Sequence, residues 1–103
     1  MPNKYRLVLE FAGDDLETYD RVVSFEERLR AELETDEIDG HDVGEGVVNV
    51  FIDTRDPRRC FKKAMNLLKD LKEVPTAAGC RKLEEEEYER LWPKDDLTRF
   101  ELK

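Results

Sequence analysis

The hydrophobic pattern near the N-terminus predicts a strand followed by a helix. Alternate positions of the segment YRLVLEF, residues 5–11, are strongly apolar, and a period of two is typical of a β-strand. Asp14 is predicted to cap the following helix, and Glu17 three residues later completes a capping box. Apolar residues then recur at helical spacing through about Glu34: Leu16, Tyr19, Val22, Val23, Phe25, Leu29 and Leu33.

The middle of the chain predicts a β-hairpin. Residues 37–42 form the first strand, Gly44-Glu45-Gly46 forms the turn, and residues 47–54 form the return strand. Glycine tolerates the positive φ that a tight reversal requires. The return strand begins VVNVFI, and its apolar character on both faces indicates a central position in a sheet.

The remaining sequence predicts a second helix and a last strand. Asp56 and Pro57 are typical of an N-cap and a first helical position. An apolar stripe follows and ends before Pro75: Cys60, Phe61, Ala64, Met65, Leu68 and Leu71. The segment AAGCRKLE supplies the strand, and an acidic run then precedes the sequence YERLWP.

The order β-α-β-β-α-β predicts an α+β fold of the ferredoxin-like type. In that plait, a four-stranded antiparallel sheet carries both helices on one face. The chain has 103 residues, which is near the commonest size of a single domain. We predict one domain over residues 1–93 and a short charged tail over residues 94–103.

The second face of such a sheet is expected to be open. Strand alternation turns Ile38 towards the helices, so Asp39 and His41 should both turn away from them. A β-bulge near Gly40 would reverse the direction of the imidazole. The open face and the hairpin are the candidate binding surface. This surface either docks a partner or pairs with a second copy of the chain. Alternatively, its mixed polar and apolar residues have no binding role, because ferredoxin-like sheets tolerate them. Its predicted residues are Glu10, Asp39, His41, Asp42, Asn49 and Phe51.

Composition narrows the classes of partner. The formal net charge of −8 should repel nucleic acid and suits a basic protein partner. No apolar stretch approaches the roughly 20 residues of a membrane helix, so no membrane contact is expected. Two isolated cysteines and an N-terminus without a secretion signal indicate a cytoplasmic location.

The single histidine, His41, has three interpretations. A flanking aspartate can fix its tautomer for acid–base catalysis. A metal site would combine it with Asp39, Asp42 or Asp53. The short polar residues can instead cap the hairpin or contact a partner. The pattern favours this last interpretation, because a closed zinc site needs further histidines or paired cysteines. We therefore predict no metal, no cofactor and no catalytic set.

Three further residues carry chemistry of interest. Glu26 falls within the apolar arc of the first helix, where we expect it to snorkel at the helix margin; the alternative is a partly buried carboxylate that needs a donor. Cys60 lies on an apolar stripe, where a thiol packs as a small hydrophobe. Cys80 precedes two basic residues, which can lower the pKa of a thiol.

The segment DGHDVGEGVVNVFIDT, with its flanks, resembles a small family of uncharacterised bacterial proteins. Those proteins have an Asp-Gly-His-Asp-x-Gly-x-Gly hairpin, then Asn and an aromatic-Ile pair, and they end near Leu-Trp-Pro. The resemblance covers roughly residues 4–93 and implies the ferredoxin-like fold, without an established activity. The matching residues are Asp39, Gly40, His41, Asp42, Gly44, Gly46, Asn49, Phe51, Ile52, Leu91, Trp92 and Pro93.

Three functions are consistent with the sequence. The first is a non-enzymatic protein-binding module, immunity-like or regulatory, that uses the open face and the hairpin of residues 39–46. The second is a small-ligand sensor with His41 beside the pocket. The third is an enzyme that uses His41 as acid and base. Small size, acidity and the absence of a catalytic set favour the first function.

Overall fold

A computed structural model describes residues 4–13, 15–33, 36–94, 98, 100 and 102. The described residues form two helices and five strands, which confirms the α+β class. The elements are β1 (Tyr5–Ala12), α1 (Leu16–Glu32), β2 (Glu37–Gly44), β3 (Val47–Thr54), α2 (Pro57–Asp70), β4 (Ala77–Lys82) and β5 (Glu89–Trp92). Both helices and the first four strands lie close to the segments that the hydrophobic pattern predicts.

The strands form one antiparallel sheet in the order β2-β3-β1-β4-β5. The first four strands follow the order of the predicted plait, but the prediction of a four-stranded sheet is wrong. A fifth strand pairs with β4 and covers the backbone edge that β4 would otherwise expose. Leu91 of this strand is buried and joins the core.

The predicted hairpin between β2 and β3 is confirmed. Glu45 and Gly46 form its two-residue turn, and their φ angles are 54° and 81°. Positive φ at both central residues matches a type I′ turn, whose twist suits the flanking strands. The carbonyl of Gly46 also accepts a hydrogen bond from the N–H of Gly13, 2.7 Å away. The hairpin tip is thereby tied to the end of β1.

Both helices begin at aspartate caps. Asp56 caps α2 and Pro57 follows it, as predicted. At α1 the cap is Asp15, whose carboxylate accepts a hydrogen bond from the N–H of Thr18 at 2.8 Å. This hydrogen bond lowers the pKa of Asp15. The predicted cap at Asp14 is therefore wrong by one residue, and Asp14 itself lies outside the described residues.

The main core lies between the sheet and the two helices. Apolar residues of β1 and β3 at alternate positions meet the inward stripes of both helices. Burial of each large apolar side chain contributes about 1.5–3 kcal/mol, so this layer supplies most of the stability. The fully buried members include Leu7, Leu9, Phe25, Leu29, Val48, Val50, Ile52, Ala64 and Leu68.

The other face of the sheet is covered at its centre, which corrects the expectation of an open face. Val8 and Phe100 are buried there together, and Phe51 packs against them. Phe100 belongs to the segment predicted to be a charged tail. A Cβ atom at Gly79 would lie 2.7 Å from its ring, so the absence of a side chain makes room for the aromatic ring. Val8 and Phe51 are apolar, so the hydrophobic effect favours their burial beneath the Phe100 ring.

The position of Phe100 predicts that the C-terminal segment stabilises the fold. Phe100→Ala should lower the free energy of unfolding by about 3 kcal/mol, because it empties a packed aromatic site. Leu102→Ala is the matched control, since Leu102 is 45% exposed and should change stability by less than about 0.5 kcal/mol. Urea denaturation measures both. Equal effects of the two substitutions would contradict the packing of Phe100 on the sheet.

Candidate functional site

Strand β2 contains a bulge at Asp39. Ile38 and Gly40 pair with consecutive residues of β3, so Asp39 has no residue opposite it. Gly40 has a φ of 150°, which L side chains rarely adopt, and glycine therefore suits this position. One extra residue reverses the direction of every later side chain in the strand.

The expected direction of His41 is wrong because of this bulge. His41 pairs in register with Val50, whose side chain lies in the core on the helix side. The imidazole consequently contacts α1 and does not emerge on the opposite face. Side-chain alternation holds on each side of the bulge and fails across it.

His41 lies between Glu26 and Tyr19 of α1. Its Nδ1 is 2.8 Å from Glu26 Oε1, and its Nε2 is 3.0 Å from the hydroxyl oxygen of Tyr19. The two rings meet edge-on with their centroids 5.1 Å apart. Tyr19 and Glu26 are separated by about two helical turns, so α1 presents both to the same part of β2.

Glu26 is a buried carboxylate, so the favoured interpretation, a side chain that snorkels at the helix margin, is wrong and the alternative is confirmed. It is 5% exposed, and burial raises its pKa, while the nearby His41 opposes that rise. Among the described residues, Glu26 Oε1 accepts no well-aligned hydrogen bond, although His41 Nδ1 lies 2.8 Å from it. The interaction with the imidazole is therefore the largest one that offsets the burial of this carboxylate, and the charge of Arg30 adds a smaller one.

The imidazole has a different polar neighbour at each of its two nitrogens. A carboxylate beside Nδ1 favours the tautomer that carries its proton on that nitrogen, which leaves the Nε2 lone pair directed at the Tyr19 hydroxyl. The phenol then donates to Nε2. The imidazole is 28% exposed, so solvent reaches the arrangement.

Sequence reasoning singled out His41 and Glu26 separately but missed Tyr19. The signal that would have found Tyr19 is its spacing of seven residues from Glu26 on an amphipathic helix. A helical face that carries a carboxylate and a phenol has to meet polar partners where it is buried. The chain has one histidine, which makes His41 the natural partner once its direction is known.

Arg6 holds the bulge from the other face of the sheet. Its guanidinium donates to Asp53 at 2.9 Å and to Asp39 at 3.0 Å, and it lies 5.6 Å from the centroid of the Phe51 ring. The hydrogen bond to Asp53 is the largest cause of a raised pKa at Arg6. Asp39 and Phe51 thus lie on the face of the sheet opposite the helices, as predicted. Asp53 is the second carboxylate that pairs with Arg6.

The other predicted site residues do not share one surface. Glu10 is buried, and its Oε2 accepts a hydrogen bond from the hydroxyl of Thr76 at 3.0 Å. Asn49 is 1% exposed, whereas Asp42 opposite it in register is exposed. The predicted set therefore divides into accessible aspartates on β2, buried polar residues beneath the covered face, and His41 on the helix side.

Neither thiol is activated. Burial raises the pKa of Cys60 to about 12 and that of Cys80 to about 11. The two basic residues that follow Cys80 in sequence are not among the charges that act on its thiol. Arg81 lies over the Tyr88 ring on the opposite face of the sheet, and Glu89, 3.9 Å from Cys80 Sγ, raises the pKa of the thiol further. Cys60 packs in the core, as predicted.

Comparison with models of protein families, with curated proteins and with solved structures finds no match to this chain. Function is therefore inferred from the site itself. Neither α1 nor α2, the helices among the described residues, has the length and apolar character needed to cross a membrane.

The contact between His41 and Glu26 predicts a measurable coupling energy. His41→Ala should lower the free energy of unfolding by about 1–3 kcal/mol, because Glu26 loses its partner. In a Glu26→Gln background, the loss of unfolding free energy caused by His41→Ala should be smaller than in the wild type, and the difference should be about 0.5–3 kcal/mol. Urea denaturation of the four proteins measures the difference. Asp42→Ala is the control and should add independently to Glu26→Gln; equal costs of His41→Ala in both backgrounds would contradict the contact.

The raised pKa of Glu26 predicts a stability that depends on pH. In the unfolded chain this carboxyl titrates near its ordinary pKa of 4.5, and in the folded protein it titrates at higher pH. The folded state binds more protons in between, so the contribution of Glu26 to the free energy of unfolding falls as pH rises through that window. The difference in stability between wild type and Glu26→Gln, measured from about pH 4 to about pH 8, should decline. A constant or rising difference would contradict the raised pKa.

Proposed function

We propose that the protein is a non-enzymatic binding module that docks a basic protein partner on one edge of its sheet. The docking surface is β2 with the adjoining turn, residues 37–45, and is named the acidic edge. This proposal keeps the predicted class of function and partner. It moves the contact from the covered sheet face to the edge strand.

The observation that carries the proposal is the position of the net charge. Residues 31–54 contain eight acidic residues and no Lys or Arg. The whole chain has 26 acidic and 18 basic residues, so the remainder has 18 of each and is formally neutral. The entire net charge of −8 therefore belongs to one continuous segment. Concentrated charge of one sign attracts an oppositely charged partner and raises its rate of association.

Four of the eight acidic residues of this segment belong to the acidic edge, and their exposure supports the proposal. β2 is the outermost strand on its side of the sheet, and Glu37, Asp39, Asp42 and Glu45 are all exposed. Asp39 pairs with Arg6, while none of the salt bridges between described residues involves the other three. Val43, between the acids, is 42% exposed and supplies an apolar contact.

The partner is expected to bind through side chains. A bulge and a row of like charges both hinder the addition of another strand along an edge. Lysine and arginine side chains can instead approach the carboxylates at several angles, and Arg has the geometry for two hydrogen bonds to one carboxylate.

The contact between His41 and Glu26 supports the same function by holding the edge in place. An outer strand pairs with one neighbour only, and here a side-chain contact to α1 supplies a second attachment. A surface that is already ordered loses less conformational entropy on binding. The arrangement with Tyr19 is accordingly interpreted as a positioning device for β2.

The test is selection of short peptides from a random displayed library on the full chain. Enriched peptides should be rich in Lys and Arg, contain an apolar residue and bind more weakly as salt rises. A triple variant, Glu37→Gln with Asp42→Asn and Glu45→Gln, should bind them at least about tenfold more weakly, equal to about 1.4 kcal/mol. Fluorescence anisotropy measures the affinities.

The matched control removes the same charge elsewhere. Glu84, Glu85 and Glu86 are exposed, and their replacement by Gln changes the net charge by the same amount. This control should bind the selected peptides as the wild type does. Equal weakening in both triple variants would show that net charge alone matters, and enrichment of acidic or neutral peptides would overturn the proposal directly.

A further inference from the structure

A cavity of about 100 Å³ opens between α1 and α2 at the end of β1. Its inner wall is apolar and consists of core side chains from β1 and both helices: Phe11, Val22, Phe25 and Leu68. Its mouth is polar, with Arg21 on α1 and Glu73 after α2, and Val74 stands beside them, 67% exposed. The cavity thus combines an apolar interior with two opposite charges at its entrance.

The two charges at the mouth are loosely held. Arg21 Nε lies 3.6 Å from Glu73 Oε1, and Arg21 Nη1 lies 3.8 Å from Glu17 Oε1. Both distances are longer than those of a charge-assisted hydrogen bond, about 2.8 Å. The side chain of Arg21 is 51% exposed and that of Glu73 is 31% exposed, so solvent screens their attraction. Ligand groups can replace these contacts at small cost.

We propose that this cavity binds a free α-amino acid with a branched apolar side chain, of the size of valine or leucine. The side chain enters the apolar interior, the carboxylate binds Arg21, and the ammonium binds Glu73. An α-amino acid carries both charges on one carbon, which matches an arginine and a glutamate 3.6 Å apart. A guanidinium also has the geometry for two hydrogen bonds to a carboxylate.

The volume of the cavity selects the size of the side chain. A dry cavity of about 150 Å³ accommodates benzene in a protein core. A cavity of about 100 Å³ therefore accommodates three or four carbon atoms and excludes the rings of phenylalanine and tryptophan. Each methylene group buried there should raise the affinity about fourfold. Glycine has the two charges but gains nothing from the interior.

The proposal is independent of the acidic edge, because no residue of β2 lines the cavity. Variants that lose peptide binding at the acidic edge should still bind the amino acid, and variants that lose amino-acid binding at the cavity should still bind the peptides. The two results can therefore be told apart in one set of variants.

The experiment titrates the full chain, labelled with ¹⁵N, with L-leucine and L-valine. Amide signals around residues 18–22 and 73–76 should shift in a saturable manner. Glycine, L-leucinol, which lacks the carboxylate, and 4-methylpentanoic acid, which lacks the ammonium, should each bind at least about tenfold more weakly, because each removes one of the three interactions. Glycine binding as well as leucine, or the absence of saturable shifts with both amino acids, would overturn the proposal.

Variants locate the binding. Arg21→Gln and Glu73→Gln should each weaken L-leucine at least about tenfold, while Arg28→Gln and Glu84→Gln, at exposed positions away from the cavity, should not. Val74→Trp narrows the mouth from an exposed position, so it should abolish binding without disturbing the core. Circular dichroism checks that each variant is folded. Unchanged affinity in Arg21→Gln, or in Val74→Trp, would place the ligand elsewhere and overturn the assignment.

Discussion

One extra residue in an edge strand decides which face of the sheet His41 occupies. A strand has a side-chain period of two, so the bulge at Asp39 sends the imidazole to the helix side. There it meets Glu26, a carboxylate that α1 buries. Without the bulge, the carboxylate would lie buried without this partner, at the cost of an uncompensated charge. The pairing of a buried acid with a chain's single histidine therefore depends on local strand geometry.

The same bulge separates two kinds of surface. Asp39 turns towards Arg6 on the covered face, while the imidazole ties β2 to α1 on the other. Both attachments hold an edge strand that carries three of the eight acidic residues of residues 31–54. Like charges along one strand repel one another, and the contacts of Asp39 with Arg6 and of His41 with Glu26 oppose the weakening that this causes. An edge held in this way is suited to presenting charge to a partner.

Periodicity predicted the elements well and their fine geometry poorly. Both helices and four strands follow from hydrophobic spacing, because burial of one face imposes that spacing. The fifth strand is four residues long and follows an acidic run, so its pattern is too short to distinguish from a loop. Phe100 lies in a charged segment, and its partner surface around Val8 became apparent only when the sheet was assembled. A bulge leaves one trace in sequence, a glycine such as Gly40, which many turns share. Glu26, by contrast, was recognisable as a polar residue in an apolar arc.

The direction of the imidazole is tested most directly by nuclear Overhauser contacts to its ring protons in the wild-type protein. The ring centroids of His41 and Tyr19 lie 5.1 Å apart, so their ring protons should show strong mutual cross-peaks. The long-range ¹⁵N spectrum should show the proton of the neutral ring on Nδ1, beside Glu26. Cross-peaks from the imidazole to Phe51 or Phe100, with none to Tyr19, would place His41 on the opposite face and contradict the account.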